Sequence, residues 1–199
     1  MLAVLTFLVP GATAKSRLRE ILNTIVIEEP VMLNEVTVPE TEDQPEQTVV
    51  TCSNCSEEEN IVLNALVERG ITDKYALAVI LGNIRQESRF DSKICEGGKR
   101  TGYHGCHRGG FGLIQFTSVH RYRGLGEFAK RNGMDVNAIE TQIKYVFTER
   151  EWLKAEKGFK TPGKSLSYYM NHAYTWLGWG IHGNRTHYSK QYVHYLHLG

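Results

Sequence analysis

From Ile21 to Glu68 the chain carries eleven acidic side chains and no Lys or Arg. Residues 28–59 within that run (EEPVMLNEVTVPETEDQPEQTVVTCSNCSEEE) also hold three of the five prolines. Dense like charge with few aromatic residues buries too little apolar surface to offset the entropy of ordering. This stretch is therefore expected to be a flexible tether, and a fold has to be built from the residues C-terminal to it. There the charge balance reverses: residues 69–199 hold twenty Lys and Arg against ten acids. Such a body attracts polyanions through its summed field, which fits nucleic acid and equally the anionic polymers of a bacterial wall. No nucleic-acid-binding motif accompanies the charge, so no nucleic acid partner is expected.

Ahead of the tether, MLAVLTFLVPGATA is apolar and closes on Ala12-Thr13-Ala14, a small-residue pattern like that of an export cleavage site. It lacks a basic residue before the apolar run, and it is shorter than the roughly 20 residues that a spanning helix needs. The expectation is an exported or interaction segment and no stable membrane span. Residues 15–28 have the pattern of a short amphipathic helix.

Helical signals begin at Ser56, which with Glu59 forms a capping-box pattern before Ile61, Leu63, Ala65, Leu66 and Val67. Gly70 ends that helix. Thr72 and Asp73 are N-cap candidates for the next, where Leu77, Ala78, Leu81 and Ile84 recur at three- and four-residue spacing and Glu87 falls in the last turn. Residues 91–117 are rich in Gly, Cys and His and read as loops with at most a small β element. Helical spacing then predicts helices over 118–131, 136–154, 165–177 and 186–196. The expected organisation is an N-terminal apolar segment, short helix and acidic tether over 1–55, followed by a mainly α domain over 56–199.

Two segments carry chemistry. Gln86-Glu87-Ser88-Arg89-Phe90 ends an apolar helix, and Gly110-Phe111-Gly112-Leu113-Ile114-Gln115 comes after it. A carboxyl at the inner end of a buried helix loses solvation, which raises its pKa; a proton donor for glycoside cleavage needs that property. Glu87 is then a general acid, or else an exposed residue pairing with Arg85 or Arg89. Gly112 lets backbone approach another surface closely, and the Gln115 amide offers a donor and an acceptor for sugar substituents.

Together, in this order, the segments resemble those of the lysozyme-like superfamily. That superfamily includes lytic transglycosylases, and the chain looks most like the lysozyme domains of bacteriophage tails and virion-associated wall hydrolases. Glu87-Ser88 matches the Glu-Ser pair of those enzymes, and Gly112-Leu113-Ile114-Gln115 their Gly-Leu-x-Gln segment. Ala173-Tyr174 matches two positions of their Ala-Tyr-Asn segment, with Thr175 in place of Asn. The resemblance covers about residues 71–196. It implies a lysozyme-like helical fold and cleavage of the β-1,4 bond between N-acetylmuramic acid and N-acetylglucosamine in peptidoglycan, without a cofactor. Glu87 would be the acid, and Ser88, Gly112, Gln115 and Tyr174 would be substrate-binding. It also implies a place in a virion or at the bacterial wall, with tail or virion proteins as candidate partners of the N-terminal arm. A hydrolase would add a second carboxylate, for which Asp91 and Glu96 are the candidates nearest in sequence; a lytic transglycosylase would use Glu87 alone.

Tyr103 and Trp179, in glycine-rich loops, are further candidates for stacking on sugars, while Tyr169 and Trp176 share a helix face and read as core. Four cysteines occur, as Cys52-x-x-Cys55 and as Cys95 with Cys106. A Cys95–Cys106 disulfide or reduced thiols, and zinc with His104 and His107 nearby, are both readings of this set, and the first is favoured, so no metal is expected. Two rival classes stay open on sequence: a non-catalytic wall-glycan binding module and a zinc-dependent amidase or peptidase.

Overall fold

A computed structural model describes residues 49–199 except Arg108; the expected apolar segment, the helix over 15–28 and most of the tether lie outside the described residues. Its elements in chain order are β1 (Val50–Cys52), α1 (Glu57–Glu68), α2 (Lys74–Ser88), β2 (Ile94–Cys95), β3 (Lys99–Arg100), α3 (Val119–Arg131), α4 (Ile139–Val146), α5 (Arg150–Phe159), α6 (Leu166–Leu177), α7 (Arg185–Tyr195) and β4 (Leu196–Leu198). A 3₁₀ turn spans Tyr103–Gly105. The domain is mainly α, as the periodicity predicts.

The expected caps form. Ser56 accepts from the Glu59 backbone N–H while the Glu59 carboxylate accepts from the Ser56 N–H at 2.7 Å, closing the capping box of α1. Asp73 caps α2 by accepting from the N–H groups of Tyr75 and Ala76, and its second oxygen accepts from Gly163 N–H at 2.7 Å. Ser118 and Ser165 cap α3 and α6 in the same way.

Helix α2 is the centre of the fold. Every residue from Ala76 to Ile84 is buried, the pattern of a helix surrounded on all sides. It packs against α7, α6 and α1. Trp152 of α5 and Trp176 of α6 meet edge to face at 4.9 Å, and Tyr169 is buried beside them in the core cluster.

Two features depart from the sequence reading. The single helix expected over 136–154 is two, α4 and α5, because the chain turns at 147–149. There Glu149 adopts an extended backbone as the N-cap of α5, and its carboxylate takes two hydrogen bonds from Arg121 at 2.7 and 2.6 Å. A buried ion pair with α3 thus sits at the break, beside the turn bonds from Thr148 N–H to the Tyr145 carbonyl and from Glu149 N–H to the Val146 carbonyl. The second departure is at the chain ends. Besides the β2–β3 hairpin in the glycine-rich loop, β1 pairs antiparallel with β4, with Thr51 opposite His197. The described fold therefore starts ahead of Ser56. The described residues from 49 to 199 belong to one compact unit.

All four cysteines are in disulfides, Cys52–Cys55 and Cys95–Cys106, which removes the thiolates that a zinc site would need. Among the described residues no helix is long and apolar enough to cross a membrane.

Candidate active site

Three successive residues at the C-terminal end of α2 each reach a different segment. The Gln86 side-chain oxygen accepts from the backbone N–H of Asn184 at 2.8 Å, which ties α2 to the start of α7. Glu87 Oε1 accepts from Arg185 Nη2 at 2.6 Å. The Ser88 hydroxyl, buried, donates to the Leu113 carbonyl at 2.7 Å and so fastens the second motif to the first.

Gly82 makes the second of these contacts reachable. A Cβ at this position would lie 2.4 Å from the backbone nitrogen of Ser189, so only glycine lets α2 and α7 come this close. Ser189 in turn donates its hydroxyl to the Arg185 carbonyl at 2.8 Å, one turn back along α7. The close crossing thus delivers a buried Arg185, 4% exposed, to the end of α2. Its guanidinium also donates from Nη1 to the backbone and side-chain oxygens of Asn83, at 3.3 and 3.4 Å, and lies 4.6 Å from the centre of the Trp179 ring.

Glu87 and Arg185 open onto a cleft of about 580 Å³ whose other walls include Gln115, Arg121 and Trp179. Glu87 is the lone carboxylate among the described residues lining it. Burial pushes its pKa above the ordinary value, against the opposing charge and hydrogen bond of Arg185 and the charge of Arg121. Its place in the last turn of α2 acts in the same direction as burial, since the carbonyl end of a helix disfavours a neighbouring negative charge.

The second motif is a rigid wall. Gly112 has φ 68, and a Cβ there would lie 2.3 Å from the Gln142 side-chain oxygen. That oxygen accepts from Leu113 N–H at 2.7 Å, while the Gln142 amide donates to the carbonyls of Ser92 at 2.7 Å and Val136 at 3.1 Å. One buried amide therefore clamps three loops. Gln115, at φ 51, donates its side-chain N–H to the Gly112 carbonyl at 3.1 Å and faces the cleft. Arg89 at φ 52 and Phe90 at φ 64 are also left-handed. Each such non-glycine residue costs of order 1–3 kcal/mol and persists where surrounding contacts over-determine it.

The sequence-expected residues thus divide. Glu87 and Gln115 line the cleft, as does Trp179. Ser88 and Gly112 are buried behind the wall and position it. Tyr174 is 55% exposed and meets Trp179 edge to face at 5.1 Å, outside the cleft lining. Asp91 pairs with Arg100 at 3.0 Å and accepts from Lys93 N–H, and Glu96 accepts from Gly110 N–H at 3.0 Å. Both carboxylates hold the glycine-rich loop, and neither lines the cleft. Tyr103 stacks on Tyr122 at 4.3 Å, also outside it. Glu87 pairs with neither Arg85 nor Arg89; Arg85 lies over the Tyr188 ring instead. Arg185, Arg121 and Gln142 were missed by sequence reasoning. The one legible trace was Gly82, a glycine inside an otherwise apolar helix.

A mainly helical domain with one desolvated acid in a cleft, backed by a Gly-Leu-x-Gln wall, has the character of a lysozyme-like domain. The phage tail lysozyme family model matches residues 57–186, and the chain belongs to that family. No curated protein matches the chain. Membership supports a lysozyme-like, peptidoglycan-cleaving enzyme in general terms.

Proposed function

We propose that this protein cleaves the β-1,4 bond between N-acetylmuramic acid and N-acetylglucosamine, with Glu87 as general acid. The observation that carries the reading is Glu87 itself, the lone carboxylate among the described residues lining the cleft, its pKa raised by burial, with Arg185 at 2.6 Å. A protonated Glu87 gives its proton to the glycosidic oxygen as the bond from that oxygen to C1 breaks. Arg185 then stabilises the carboxylate left behind by charge and hydrogen bond, while Gln115 and Trp179 orient the sugars.

A retaining hydrolase keeps its second carboxylate about 5–5.5 Å from the acid and an inverting one about 6.5–9.5 Å. With Asp91 and Glu96 engaged in the glycine-rich loop, the nucleophile in this reading comes from the substrate. The C6 hydroxyl of the muramic residue closes on C1, and its proton passes to the Glu87 carboxylate. That step restores the acid and leaves a 1,6-anhydro end, the outcome of a lytic transglycosylase. Water attacking C1 would leave a reducing end, the outcome of a lysozyme. Mass analysis of the fragments released from purified walls distinguishes the two, and the absence of both new ends would refute glycoside cleavage.

The family also supports a setting on a phage particle, and in this reading the enzyme opens the wall there while the N-terminal arm serves to join it to other tail proteins. Detection of the chain in purified virions by mass spectrometry tests that setting.

A further inference from the structure

The cleft at Glu87 has two neighbouring hollows along α3. Its wall residue Thr117 also borders a second hollow of about 350 Å³ with His107, Val119 and Arg123, and Arg123 in turn borders a third of about 590 Å³. Val119, Arg123, Gly126 and Lys130 recur at spacings of four, three and four, which is one face of α3. The three hollows therefore lie in line along that helix, with Thr117 and Arg123 as their shared borders. From Ser118 to Lys130 the helix runs about 18 Å at 1.5 Å per residue.

The far hollow differs chemically from the cleft. Its floor is apolar, from Tyr103, Ala129, Met134 and Val136, and its edge carries Arg123 and Lys130 together with Glu127 and Asp135. Tyr103 is held rigidly: its ring stacks on Tyr122, its hydroxyl donates to the Tyr122 carbonyl at 3.0 Å, and its backbone N–H donates to Asn137 Oδ1 at 2.7 Å. Two cations and two anions around an apolar floor suit a ligand that is itself zwitterionic and bears small apolar groups. Neutral N-acetylated sugars carry no charge to meet them.

We propose that this far hollow binds the peptide stem that branches from the muramic residue held near Glu87. The inference rests on the wall-glycan reading of the cleft and adds a second recognition element to it. Stem peptides present alanyl methyl groups to the floor, carboxylates to Arg123 and Lys130, and an amino group to Glu127 and Asp135. Five extended residues span at most about 17 Å, enough to carry the stem from beside Ser118 into the hollow bordered by Arg123 and Lys130.

The full chain is titrated with a free wall-stem pentapeptide while the methyl NMR signal of Met134 is followed. A shift that saturates, and that is abolished in R123E/K130E, is the expected result. No shift overturns the proposal, and so does an equal shift produced by a β-1,4-linked N-acetylglucosamine tetramer, which would make the hollow a glycan site. In the second arm, R123E/K130E raises KM at least tenfold on peptide-bearing strands and leaves kcat/KM on peptide-stripped strands unchanged. Equal loss on both substrates, or no change on either, overturns it. The binding arm reads independently of Glu87, whose own test is cleavage of peptide-stripped strands, so the two readings fail separately.

Discussion

Arg185 Nη2 stands 2.6 Å from Glu87 Oε1, joining residues that are 98 positions apart in the chain. The pair couples the candidate acid to the first turn of α7, where the cation is almost wholly buried. Two opposed influences act on one carboxyl: burial favours the protonated form and Arg185 the ionised one. Burial prevails, since the pKa lies above the ordinary 4.5.

Glu87→Gln is expected to abolish cleavage and keep the fold. A positioned general acid is worth about 10²- to 10⁴-fold in rate, and an amide cannot give up the proton. Because the folded pKa is raised, Glu87 contributes stability that is fully present below pH 4.5 and lost as pH rises through the raised value. Gln resembles the protonated carboxyl, so at neutral pH the variant should unfold at no lower temperature than the wild type. More than a tenth of wild-type turnover in a folded Glu87→Gln protein would remove Glu87 from the mechanism.

Arg185→Met removes the charge and hydrogen bond that hold Glu87 down while keeping apolar contact with Trp179. The acid works only while protonated, so activity is lost as pH rises through its pKa. In the variant that alkaline limb of kcat/KM moves to higher pH, and the maximum rate falls because the carboxylate formed on proton transfer is no longer stabilised. An alkaline limb that stays in place would show that Arg185 does not set the titration of Glu87.

Gly82→Ala tests the helix crossing. In an isolated helix Ala is better than Gly by about 0.8–1 kcal/mol. Here the new Cβ would lie 2.4 Å from backbone of α7, so α7 must shift, and overpacking of this kind costs about 1–3 kcal/mol. A lower melting temperature and reduced wall cleavage are expected together, the latter because Arg185 moves with α7. A rise in melting temperature would mean that the crossing has slack.

Removing residues 1–48 should leave cleavage of purified walls unchanged, whereas starting the chain at Ser56 should lower the melting temperature. The shorter form lacks β1 and its pairing with β4, the Cys52–Cys55 bridge and the hydrogen bond from Ser53 N–H to the Tyr195 carbonyl at 2.9 Å. Equal melting temperatures for the two shortened forms would place the domain edge at Ser56 after all.

Local features were legible along the chain because their causes are local. Ser56 with Glu59, and Asp73, announce helix starts by satisfying nearby backbone N–H groups, and the run from Ala76 to Ile84 announces a buried helix by composition. Glu87, at the end of that helix, and the Gly112–Gln115 motif stood out differently, through the resemblance of the two segments together to those of lysozyme-like enzymes. The partners of these residues were not legible. Nothing near Glu87 in sequence points to Arg185, and nothing near Leu113 points to Gln142, because a hydrogen bond between distant residues leaves no periodicity in either segment. The break at Glu149 was hidden likewise, since the helical pattern runs through it and the Arg121 partner of Glu149 lies 28 residues away. The β1–β4 pairing needs both ends of the domain to meet, and a three-residue strand carries too short a pattern to declare itself. Sequence thus announced the first helices and the carboxyl at the end of the apolar one; the tertiary packing of α2 on α7 decided what that carboxyl touches, and with it the balance of desolvation and charge that governs its proton.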